Sequence, residues 1–289
     1  MLQYSINSWN PLTLTYNEKL AEAIKEMHHA ALFVGMLGEA FLPKANDDSQ
    51  SNLEWLPKQQ AMAGHQVQKS RAQMTYDDWN LQLLGANDLL LGSIDPTGKT
   101  KDELLQWFRE QLQKTPFPPQ QYDYFSHFSL PDHSLDHGQA FAPISQEIRR
   151  ELALYRQNAH WVLNQTIQPF SKASTVRTWP HHFDTGSVIA LEFSEGPDTP
   201  TSTIGIGWAI ADEAIDVPYF YINHWKKGAT IHYDNLPDLP DGCRWHQGNW
   251  TGPILPLSSL TPLEGDQQLT LVKAFFEKGI AASKGLLEQ

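Results

Sequence analysis

A single cysteine, Cys243, occurs in 289 residues. No intrachain disulfide can form and no cysteine-rich zinc site can be built, and such sparing use fits a reducing compartment. Positive charge is scarce as well: 21 Lys and Arg stand against 33 Asp and Glu, a formal net charge of −12. That field repels a polyanion, and no basic run tracks a phosphate backbone, so nucleic acid is not an expected partner. Long apolar runs are missing. The longest, AALFVGMLG, is about half of what a membrane-crossing helix requires. The opening stretch, MLQYSINSWNPLTLTYNEKL, lacks the basic start and apolar centre of a secretion signal. The expectation is a cytoplasmic protein without a membrane partner. P-loop, HExxH and serine-elbow motifs are absent too.

Tryptophan, by contrast, is plentiful, with ten in the chain. Each brings a large apolar area and an N–H in need of a partner, which suits packed interfaces or aromatic clefts. The length allows about two domains or one large one. From Tyr16 to Leu42 the apolar positions Leu20, Ile24, Met27, Ala31, Val34 and Phe41 recur at helical spacing, between an Asn17 cap and a Pro43 stop. LEWLPKQQAMAGHQVQ and AQMTYDDWNLQLL read as strands, and KTKDELLQWFREQLQK as an amphipathic helix. A long connection without a period, rich in Pro, His and Asp, leads to a second long helix carrying Ile144, Ile148, Leu152, Tyr155, Ala159, Val162 and Ile167. Strand-like pieces follow, and a helix over Asp266 to Lys284 closes the chain.

The expected fold is α+β: two pseudo-repeated helix–strands–helix lobes with mixed or antiparallel sheets. Residues 1–115 form the N-terminal lobe, 116–143 the connection and 144–289 the C-terminal lobe. Both halves share an element order and a Trp-Pro region, near Trp55 and Trp179, which suggests a duplication.

The segment VRTWPHHFDTGSVIALEF holds the densest polar group. If extended, it puts His182 and Asp184 on one side and His181 with Phe183 on the other. A carboxylate beside an imidazole fixes its tautomer and raises its basicity, as a general base or metal ligand requires. A capped turn with a bonded histidine is the structural alternative. In TIGIGWAIAD, Ile204, Ile206, Trp208 and Ile210 share one face, and Gly205, Gly207, Ala209 and Ala211 the other. A Gly/Ala face lets another backbone or a flat ligand come close, with tight layer packing as the alternative. Asp212 follows it. PYFYINHW puts Tyr219, Tyr221 and Asn223 on one face, with Trp225 next along. His127, Asp132, His133, Asp136 and His137 crowd the long connection; they match no zinc spacing, and a solvated loop is the expected reading. His28 and His29 point about 100° apart on their helix, so no more than one should face the core.

RTWPHHFDTG, GIGWAIAD, PYFYINHW and WTGPILPLSSL stand in an order similar to that of a set of uncharacterised bacterial proteins. In those, a Trp-Pro-x-His-Phe-Asp segment precedes a Gly-rich strand ending in Asp and a Pro-Tyr-x-Tyr strand. The layout also resembles the bacterial domain of unknown function 5996. This chain departs from that family in its His–Asp spacing and in LPLSS, which replaces a Leu-Pro-Tyr segment. The resemblance implies a shared fold and shared positions at Trp179, His182, Phe183, Asp184, Asp212, Tyr219 and Tyr221; it supplies no reaction.

The preferred expectation is binding of a small polar molecule in a cleft walled by Trp179, Gly205, Gly207, Tyr219, Tyr221, Trp225 and His182–Asp184. A hydrolase with His182 as base or metal ligand, Asp184 orienting it and Asp212 as second carboxylate is one alternative. A structural or protein-interaction module with an aromatic face is another. The sequence names no metal, cofactor or oligomeric state.

Overall fold

The computed structural model describes residues 5–194 and 199–289, so the first four residues of the N-terminal stretch lie outside it. The fold is α+β, with four α-helices and two antiparallel sheets among the described residues. Two compact units divide the chain, and they are interleaved along it: residues 17–157 with 177–183, and residues 1–16 with 158–176 and 184–289. They are called here the α1 unit and the α4 unit, after their longest helices.

Helix α1 (Glu18–Phe41) starts where the Asn17 side chain accepts the N–H groups of Lys19 and Leu20, satisfying two donors the helix cannot reach. Its middle, from Glu26 to Gly38, is buried on every side, as befits the all-apolar AALFVGMLG. A sheet follows in sequential order: β1 (Glu54–Leu56), β2 (Ala61–Ala63), β3 (Arg71–Thr75), β4 (Asn80–Leu84) and β5 (Leu90–Ile94). α1 packs against β2 and β3. Helix α2 (Lys101–Leu112) opens on a capping box between Thr100 and Glu103. The connection that follows contains only short 3-10 turns before α3 (Gln146–Ile167). β6 (Arg177–Trp179) bridges back to Leu53.

In the α4 unit, β7 (Asp184–Phe193), β8 (Pro200–Ala209) and β9 (Tyr219–Lys226) form an antiparallel meander; β10 (Arg244–Gln247) and β11 (Thr251–Pro256) extend it in the order β7–β8–β9–β11–β10. The first sheet keeps sequential order and this one does not, so the two are not copies of one arrangement. Ile204, Ile206, Trp208, Phe220 and Ile222 are buried on one face. α4 (Gly265–Leu287) covers that face, with Phe276 meeting Phe220 edge-on at 5.7 Å. Gln268 ties the N-terminal segment down. Its amide accepts from Trp9 Nε1 and Leu12 N at 3.0 Å and donates to Leu12 O at 2.8 Å, which satisfies buried main-chain groups that no strand reaches.

Candidate functional site

The residues singled out by sequence fall into two groups. Trp179 and His182 belong to the α1 unit; Asp184, Gly205, Gly207, Asp212, Tyr219, Tyr221 and Trp225 belong to the α4 unit. The stretch from Pro180 to Phe183 is a turn, not the start of the strand. Phe183 N–H donates to Trp179 O, and Phe183 adopts a positive φ of 54°. Alternation of faces therefore begins only at Asp184. His182 is exposed, its ring 4.4 Å from that of His181, and Trp179 meets His181 at 6.2 Å. The turn is held from α1: His28 Nε2 donates to Pro180 O at 2.6 Å, and the His28 ring stacks on Phe183 at 4.8 Å. Both His28 and His29 are buried. One helical face does not confine the core here, because α1 is enclosed on all sides.

Register builds the rest of the site. Gly186, Gly207 and Tyr221 stand side by side on β7, β8 and β9, as do Gly205 with Asn223 and Ala209 with Tyr219. The glycine face and the tyrosine row are thus one surface, the one turned away from α4. A Cβ on Gly207 would lie 2.5 Å from Tyr221 Cζ and Oη, and one on Gly205 would strike Asn223. The space above the glycines is filled by side chains of the neighbouring strand. Glycine is required at 207 so that the phenol can lie flat against the sheet.

Lying there, Tyr221 reaches Asp184: its hydroxyl donates to Oδ2 at 2.6 Å. Tyr219 donates to Asp212 Oδ2, also at 2.6 Å. Burial first, then the facing carboxylates, raises both phenols well above their ordinary range, so both remain protonated donors. The two aspartates differ. Asp212 Oδ1 also accepts the N–H groups of Ala214 and Ile215 at 2.8 and 2.9 Å; it caps the turn that brings Ile215 over Tyr219 and Ile254. Asp184 is half-buried, accepts from Tyr221 alone and enters no ion pair among the described residues. Trp250, which opens WTGPILPLSSL but is not among the candidate residues, meets Tyr221 edge-on at 6.4 Å and His246 at 4.7 Å. Its hint was position alone, since it follows a turn into β11. Along the tyrosine row, exposure rises from buried Tyr219 to Trp225, which is 50 % exposed.

Comparison with protein-family models, curated proteins and solved structures gives no match. Among the described residues no helix is long and apolar enough to cross a membrane.

Proposed function

We propose that the α4 unit binds a small polar molecule on the Tyr219–Tyr221–Asp184 face, and that the molecule carries an ammonium group. Asp184 carries this reading: a half-buried carboxylate with no ion pair among the described residues and one hydroxyl donor, Tyr221, whose ring Trp250 meets edge-on. A half-buried charge without a counterion is costly, and an organic cation gains from both the carboxylate and the aromatic faces. Tyr221 fixes the carboxylate in place, and Asp212 fixes Tyr219.

Titration of isotope-labelled protein with primary and quaternary ammonium compounds, beside carboxylic acids of matched size, tests the reading. The indole N–H of Trp250 is the reporter. An ammonium compound is expected to move that signal, with affinity reduced at least tenfold in Asp184→Asn. Equal binding by Asp184→Asn, or no response to any ammonium compound, refutes it.

A further inference from the structure

The α1 unit holds a separate polar group. Glu22 and Glu26 stand one turn apart on α1, and the long connection lays His133 against them. One ligand atom from each lies within 4.8 Å of the other two. His133 Nε2 is 2.6 Å from Glu22 Oε1. Glu26 and His133 are buried, whereas the Glu22 side chain is 49 % exposed, so the group opens to solvent along Glu22.

The connection is pinned in this position. Leu135 is buried; Lys101 bonds Asp136 at 2.6 Å; Asp136 Oδ2 accepts the His133 N–H at 3.3 Å. Glu26 is the less compensated of the two carboxylates. Like charges four residues apart on a helix repel, and whereas Glu22 pairs with Lys25 Nζ at 3.5 Å, Glu26 enters no ion pair among the described residues. Glu26 accepts one hydrogen bond among the described residues, from Ala142 N–H at 3.2 Å. Its nearest basic neighbour, His133, is bonded to Glu22.

His29 packs against the group. His29, three residues past Glu26, is 2 % exposed, and its Nδ1 has no hydrogen-bond partner among the described residues. Its ring stacks on His133 at 5.0 Å. A buried nitrogen of this kind is costly unless something else occupies it.

We infer that Glu22, Glu26 and His133 bind one divalent first-row transition ion. Two carboxylates and one neutral imidazole cancel the charge of a dication, and this all-N/O set suits zinc, iron(II) or manganese better than a thiolate-seeking ion. Bonds of about 2.0–2.2 Å place tetrahedral ligand atoms roughly 3.3 Å apart. The short Glu22–His133 contact opens slightly and the wider separations close. His133 Nε2 gives up the proton it shares with Glu22 and Nδ1 takes one up, so the ring stays neutral, and Nδ1 releases the Leu135 N–H that it accepts at 3.4 Å. Three protein ligands with a fourth position open is the arrangement that keeps a water on the metal.

The test is equilibrium dialysis of the full chain against zinc, with bound metal counted by mass spectrometry and its ligand shell read by X-ray absorption. Wild type is expected to hold about one equivalent in an N/O shell that includes imidazole. Glu26→Gln and His133→Gln should each lose at least tenfold in affinity. Glu22→Gln, at the exposed ligand where folding is least at risk, should lose affinity with its circular dichroism unchanged. Stoichiometry that survives in folded Glu22→Gln and Glu26→Gln places the ion elsewhere and overturns the proposal. Wild type that binds no zinc overturns it too.

Discussion

Gly207→Ala is the sharpest probe of the sheet face. In an ordinary strand this change stabilises by roughly 0.5–1 kcal/mol, because glycine loses more backbone freedom on folding. Here the new methyl would sit 2.5 Å from the Tyr221 ring carbon and hydroxyl. The ring must lift, at an overpacking cost of about 1–3 kcal/mol. Lifting also pulls the hydroxyl away from Asp184 Oδ2, now 2.6 Å distant; a hydrogen bond to a charged group is worth about 1.5 kcal/mol at the low end that suits a half-exposed carboxylate. The net expectation is a loss of about 1.5–4 kcal/mol. In a Tyr221→Ala background the three atoms nearest the methyl are gone, and the same change should stabilise by roughly 0.5–1 kcal/mol. Urea unfolding of the four members of this cycle measures the reversal. If Gly207→Ala costs as much without Tyr221 as with it, the ring is not what requires glycine there, and the reasoning fails.

Other outcomes follow from the same geometry. Burial brings the pKa of His28 down to about 3, whereas the unfolded chain takes up that proton near its ordinary 6.5. The unfolded state binds more protons between these values, so this stability is whole above pH 6.5 and is lost as pH falls toward 3. His28→Phe, which keeps the stack on Phe183, should flatten the slope of stability against pH in that window. Gln268→Leu leaves the N–H groups of Trp9 and Leu12 and the Leu12 carbonyl without their partner; a loss of about 3 kcal/mol or more is expected by denaturant titration. Thr100→Ala removes the α2 capping box and should cost about 1 kcal/mol. Glu26→Gln should act in the opposite direction. Burial raises the carboxyl, so its ionised form costs stability as pH rises through the folded value. Metal-free Glu26→Gln should therefore melt at or above the wild-type temperature at pH 7, and zinc should no longer raise it.

The periodic segments were readable in advance, and the reason is local. α1 shows its cap, its apolar spacing and its proline stop within a single stretch, and β8 and β9 show alternation that the register reproduces as far as Ala209, with Ile210 and Ala211 beyond the end of the strand. Elements without a period escaped: β5 and β10 are short, and β10 lies in a Gly/Pro/Asp-rich region. The turn at Pro180–Phe183 was hidden for a different reason. Its residues alternate as a strand would, and what bends them is His28, 152 positions away in sequence from the carbonyl it bonds. In the same way, alternation put Gly207 and Tyr221 each on a face, but only cross-strand register shows that the face is shared and that one fills the space left by the other.

The two carboxylate groups illustrate what a single chain conceals. Asp184 could be flagged because it opens an apolar strand, where a charge is conspicuous. Glu22 and Glu26 lie in a helix whose apolar residues satisfy the helical template unaided, so their four-residue spacing looks like ordinary surface. His133 lies 111 positions from Glu22 in a connection without a period, and only the folded connection brings it there. Glu26 is nonetheless as buried as the apolar residues around it. Burial of an acid costs most where no cation faces it, so a chain that retains glutamate at this position either bears that cost for nothing or recovers it from a bound ion. The comparison of Glu26→Gln with and without zinc separates the two: a stabilised variant that still responds to metal would leave the buried acid unexplained, and one that has lost the response assigns it to the ion.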